Sequence, residues 1–197
     1  MARVTPIHRP SDFKGTTDAA TRQDFAELFE LMFPGQANPE FKGSQIGWAI
    51  LTAQGPRLAL LVARLVQYLA RDTAWGRRRV LRELAIQAIN LHFRCDFSFQ
   101  SHLEHGDADG LATELVAAIP YWRTTTLFDQ EQRLVVEYTL AVVAGDVPEE
   151  LFSRVAGHFG ERETIEFTSI IGIWSFWAML LNATRPPYPD SHQGTSP

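Results

Sequence analysis

The chain has 197 residues, 45% of them apolar and 21% charged, and a formal net charge of −5. That balance suits a globular chain with a substantial core. The acidic sign excludes the broad basic footprint of a nucleic-acid binder. The single cysteine excludes an intramolecular disulfide and fits a reducing compartment.

The opening stretch "MARVTPIHRPSDFKG" lacks the apolar run of a secretory leader, so a cytoplasmic protein is expected. Residues 1–17 read as an N-terminal arm. Apolar periodicity predicts a helix over 18–33, with Phe25, Leu28, Phe29, Leu31 and Met32 on one broad face. Pro, Gly and Asn make "PGQANPEFKGSQ" a loop, and a short helix is expected at 45–53. Pro56 starts a helix that continues to about residue 71.

The next helix is predicted from about 75 to 92. Another begins near Cys95 and ends at Gly106, a residue able to take a left-handed cap. "DADGLATELVAAI" reads as a short helix with Asp107 as its N-cap, closed by Pro120. Asp129 caps a helix that ends at Gly145. Pro148 starts a short one, and Gly160 separates it from a long helix over 161–184.

The uncharged run Phe167 to Thr184 approaches the length of a bilayer span. Its Thr, Ser and Asn residues and its charged flanks favour a buried helix, so no membrane is expected. No alternating strand pattern is visible. The expectation is an all-α, single-domain bundle of about eight helices over 18–184, followed by a Pro-rich tail over 185–197. Helices 56–71 and 161–184 are apolar enough to predict a homo-oligomer: a dimer, trimer or hexamer.

The chemistry-bearing stretch is "RELAIQAINLHFRCDFSFQSHLEHG". Cys95, Ser98 and His102 are three and four residues apart. At about 100° per residue their side chains share one stripe. Glu83 reaches that stripe from the preceding helix, across a bend near Arg94. A carboxylate beside an imidazole fixes its tautomer and raises its basicity, which suits proton transfer near neutral pH. A cysteine in a helix's first turn feels the positive end of the dipole.

Competing readings use the same residues. A lone cysteine is commonly a small core residue. His92, His102 and His105 with Glu104 suggest a metal cluster, but 102 and 105 point roughly 60° apart, so no metal is expected. Trp122, Trp174 and Trp177 are candidates for an apolar pocket wall or for core packing. A hydrolase site lacks its nucleophile elbow. The run Arg77-Arg78-Arg79, which sits beside Arg82, reads as a solvated helix face, or as a rim attracting an anionic substrate.

The pattern Glu83, eleven residues, Cys95, two residues, Ser98, three residues, His102 resembles the alkylhydroperoxidase D motif at every position but one. The helices around it resemble those of the wider carboxymuconolactone decarboxylase-like superfamily over residues 25–184. The resemblance implies an oligomeric all-helical fold. In its redox branch two cysteines cycle between dithiol and disulfide. Here Ser98 stands at the second cysteine position, and a hydroxyl cannot form that bond. Cys95 alone would need an external thiol to reduce its sulfenic acid. Arg94 replaces a glycine common in relatives and adds a cation near the thiol.

The decarboxylase branch implies a cofactor-free acid–base enzyme acting on a small cyclic or aromatic-like acid or lactone. It would act as a decarboxylase, isomerase or cyclase. In it His102 moves the proton, Glu83 tunes it, and Ser98 and Cys95 line the pocket, Ser98 as a donor to a developing oxyanion. Arg94, His105, Trp122 and Trp174 are the substrate-binding candidates. The alternative is a one-cysteine peroxidase using Cys95, and a third reading is a helical oligomer without chemistry.

Overall fold

The structure, a computed structural model, describes residues 3–187, and every regular element among the described residues is helical. The α-helices are α1 (Ala19–Met32), α2 (Ile46–Thr52), α3 (Pro56–Gln67), α4 (Arg79–Phe93), α5 (Asp96–Asp109), α6 (Thr113–Ala118), α7 (Gln130–Ala144), α8 (Glu149–Phe159) and α9 (Glu161–Thr184). The tail expected over 185–197 lies, from residue 188 on, outside the described residues.

Two compact units are distinguished: residues up to 67 with those from 181 on, and residues 68–180. In the first, α1 and α2 pack on α3. Asp18 caps α1 by accepting the Thr21 N–H. The N-terminal arm is tied down here: the Ile7 N–H donates to the Ala49 carbonyl and the Arg3 N–H to that of Thr184. Leu58, Leu61 and Leu65 remain exposed along α3, so the apolar character that suggested a second copy lies partly on the surface.

In the second unit α4 is the central helix and packs against α5, α6 and α7. Leu84, Ala85, Ile86, Ala88 and Ile89 are all fully buried, as expected of a helix covered all round. Asp129 and Gln132 form a reciprocal capping box at the start of α7. Toward α9, the Tyr138 hydroxyl meets Thr168 Oγ1 at 2.7 Å, and Trp75 stacks on Phe167 with centroids 3.8 Å apart. By length and composition α9 could cross a membrane, and half of its apolar window is buried inside the protein.

Three expected boundaries move. The helix expected from 75 starts at Arg79, because Thr73 Oγ1 accepts the Gly76 N–H and Glu166 accepts that of Trp75, holding 73–78 as turns. Gly106 is not a cap. It lies inside α5, against Leu111, where a Cβ would meet side-chain carbon at 3.5 Å. The left-handed cap is Gly110, at φ 89°. Asp107 therefore belongs to α5, and the N-cap of α6 is Ala112.

The α4–α5 bend falls at Arg94, which adopts the left-handed conformation (φ 52°, ψ 46°). Its N–H returns to the Asn90 and Leu91 carbonyls, so the chain turns here without glycine. A left-handed L-residue costs about 1–2 kcal/mol, and glycine gives back about 0.5–1 kcal/mol of that in chain entropy. Arg94→Gly is expected to raise stability by roughly 0.5–1 kcal/mol in urea denaturation, and a loss would show that the arginine side chain stabilises the bend.

Candidate active site

Two helices build the site. On α4 the polar residues Glu83, Gln87 and Asn90 repeat at intervals of four and three, on one stripe of an otherwise apolar helix. All three are buried. The Gln87 side-chain amide donates to the Phe99 carbonyl of α5 at 3.1 Å, and Asn90 Nδ2–H donates to Gln87 Oε1 at 3.2 Å. These bonds fix α5 against α4. The Cys95 N–H donates to the Asn90 carbonyl, which sets Cys95 as the N-cap of α5.

About two turns further along α5, His102 meets Glu83. His102 Nδ1 lies 2.8 Å from Glu83 Oε2. A carboxylate only accepts, so the imidazole donates from Nδ1. The second carboxylate oxygen is held by Arg82, whose Nε and Nη2 donate to Oε1 at 3.3 and 3.2 Å. The same guanidinium donates to Asp109 Oδ2 at 2.9 Å and to the carbonyls of Ala70 and Gly76. Arg82 is thus largely buried and fully engaged, unlike the basic run beside it, which reads as a solvated face. Its neighbour Arg78 pairs with Glu163 and lies over the Phe159 ring.

Burial by itself pushes the Glu83 carboxyl upward. The hydrogen bond and charge of His102, and then Arg82, outweigh it, and the group titrates below the ordinary glutamate range. Glu83 is therefore a carboxylate at neutral pH.

On the other side of the imidazole, the Trp174 indole N–H of α9 donates to His102 Nε2 at 3.4 Å. Its ring stands edge-on, 72° from the imidazole plane. The His105 ring lies 5.3 Å from that of His102, with Nδ1 donating to the Ser101 carbonyl at 2.7 Å.

Cys95 is buried at 1% exposure. Burial raises its pKa, the Ser98 N–H lowers it, and Asp96 raises it further; the net direction is up. The cation expected from Arg94 is not among the groups that set this thiol, and Arg94 is exposed. The thiol is thus not activated, contrary to the helix-dipole expectation, because desolvation dominates.

Ser98 is buried on the same helix. Trp122 packs into a separate core cluster with Leu84, Ile119 and Val136, under Arg123. Among the described residues no group of three or more His, Cys, Asp or Glu side chains is arranged to hold a metal.

The structure brings together Glu83, His102 and Trp174, each singled out in the sequence, and adds Arg82, Gln87 and Asn90, which were not singled out as site residues. The available signal for the last two was their spacing from Glu83. Arg82 was masked by its basic neighbours.

Two measurements follow from this geometry. Iodoacetamide labelling of Cys95 across pH is expected to reach half-reaction above about 8.5, the free-cysteine value, and a value well below it would restore an activated thiol. Because Glu83 titrates below its unfolded value of about 4.3, its stabilising contribution is complete above that pH and disappears as pH falls through the folded value. Urea denaturation should therefore show wild type losing stability on acidification more steeply than Glu83→Gln. Equal slopes would mean that the folded state does not favour the carboxylate.

No family model matches the chain. It is 29% identical over 135 residues to the uncharacterized protein YnjA of Escherichia coli (strain K12), covering 67% of this chain and 73% of that one. A crystal structure from Agrobacterium tumefaciens superposes with a TM-score of 0.61 at 23% identity, over 70% of this chain and 94% of the other. That protein is of unknown function and is named for an AhpD role in antioxidant defence. With nine α-helices in this order among the described residues and this superposition, the chain has the all-helical, AhpD-like fold.

Proposed function

We propose that the protein is a cofactor-free acid–base enzyme in which His102 moves a proton at Nε2. The observation that carries this reading is the 2.8 Å contact between His102 Nδ1 and the buried carboxylate of Glu83. That contact leaves Nε2 as the basic nitrogen, and the Glu83 charge stabilises the imidazolium that forms when Nε2 takes a proton. Arg82 helps to keep Glu83 ionised and orients it by holding the carboxylate oxygen that His102 does not use. The substrate class is a small cyclic or aromatic-like acid or lactone, and the reaction a decarboxylation, isomerisation or cyclisation that needs only an acid and a base.

The antioxidant role in the name of the Agrobacterium protein is the second reading. Two observations weigh against it in this chain. The position of a second thiol holds Ser98, and the remaining thiol is buried with a raised pKa.

The test compares variants on two reactions in parallel. Unsaturated cyclic acids and γ-lactones are incubated in D₂O and followed by NMR for C–H exchange and CO₂ loss, and cumene hydroperoxide consumption is followed with a dithiol reductant. His102→Ala is expected to lower the first by on the order of 10²–10⁴-fold, and Cys95→Ser to change it only a few-fold. Hydroperoxide consumption that is abolished by Cys95→Ser and spared by His102→Ala would overturn the proposal.

A further inference from the structure

The indole of Trp174 occupies the nitrogen that this reading needs free. Its N–H donates to His102 Nε2 at 3.4 Å, whereas ordinary N–H bonds centre near 2.9–3.0 Å. Trp174 is buried, and an indole N–H can only donate. Once Nε2 has taken a proton it too is a donor, and the two groups can no longer bond each other. Protonation of His102 therefore releases the Trp174 N–H to a new acceptor, within reach of the atom that has just lost its proton.

We infer that this acceptor is the oxygen of an enolate, and that the substrate class is a carbonyl compound with an acidic C–H beside the carbonyl. The inference rests on the acid–base reading above. The Cα–H bond breaks and its proton passes to Nε2. Its electron pair forms a carbon–carbon double bond, and the carbonyl π pair moves onto oxygen. That oxygen takes the hydrogen bond of Trp174. Return of the proton from Nε2 to the same carbon, or to a conjugated one, restores the carbonyl; the second case is a double-bond shift. No oxidant, reductant or second substrate enters.

The donor–acceptor pair of Trp174 and His102 matches the acceptor oxygen and acidic carbon of such a substrate, which stand two bonds apart. A charge-assisted bond to an enolate oxygen is stronger than the long resting bond to a neutral imidazole. Trp174, rather than Ser98, is then the oxyanion donor.

Cyclohexane-1,3-dione, an enolate at neutral pH, is the probe. It is titrated into the full chain carrying ¹⁵N-labelled tryptophan, with the Trp174 indole resonance assigned from Trp174→Phe among the five tryptophans. The expected result is a downfield shift of that indole proton on binding. Trp174→Phe should bind the probe about 10- to 150-fold more weakly, the range for a hydrogen bond to a charged group.

A Trp174 resonance unmoved by millimolar probe in the wild type overturns the inference, whether or not the variant folds. Equal affinity in Trp174→Phe, with binding lost in His102→Asn, removes the enolate role and leaves the acid–base reading standing. Affinity unchanged in both variants removes both.

Discussion

The site depends on one carboxylate kept charged out of water. Removing a carboxylate from solvent is costly unless its oxygens are paired and hydrogen-bonded. Glu83 meets that condition with one oxygen on the Arg82 guanidinium and the other on the imidazole of His102. The division matters. The hydrogen bond and charge of His102 hold the carboxylate down most strongly, and Arg82 adds a permanent positive charge on the other oxygen. In the proposed reaction Arg82 is the partner whose charge does not change when that of His102 does.

The proposed acid–base reading and a dithiol reading make different demands on these residues. A dithiol site needs two sulfurs and at least one accessible thiolate. Here the sulfur is enclosed at the N-cap of α5 and the neighbouring hydroxyl cannot replace its partner. The Glu83–His102 contact is in place, with Arg82 on the other carboxylate oxygen, while Gln87 and Asn90 fasten α5 to α4.

Much of this was legible in the sequence. The helical order followed from apolar spacing and from caps such as Asp129 and Gly145. The meeting of Glu83 and His102 followed from spacing on two helices joined by a bend. The errors share a cause: local signals that a distant contact overrode. Gly106 had the composition of a cap, but Leu111 needed its missing side chain and the helix ran on to Gly110. Arg82 sat in a basic run, and only the fold brings Asp109, Ala70 and Gly76 to it. Trp122 and Trp174 are alike as letters. One is enclosed among Leu84, Ile119 and Val136, and the other reaches the imidazole across 72 residues of chain.

Arg82 holds more than Glu83. Its Nη1 also grips the carbonyls of Ala70, in the π-helical stretch Tyr68–Asp72 after α3, and of Gly76, in the turns that lead into α4. At Gly76 a side chain is not tolerated, since a Cβ would stand 1.8 Å from the Leu69 carbonyl oxygen. This segment is consequently a mechanical support for the Glu83–His102 pair. If it frays, the guanidinium loses two of its anchors, and the buried anion loses the rigidity of its counter-charge. Local opening there would then be felt as a change in proton affinity at Glu83.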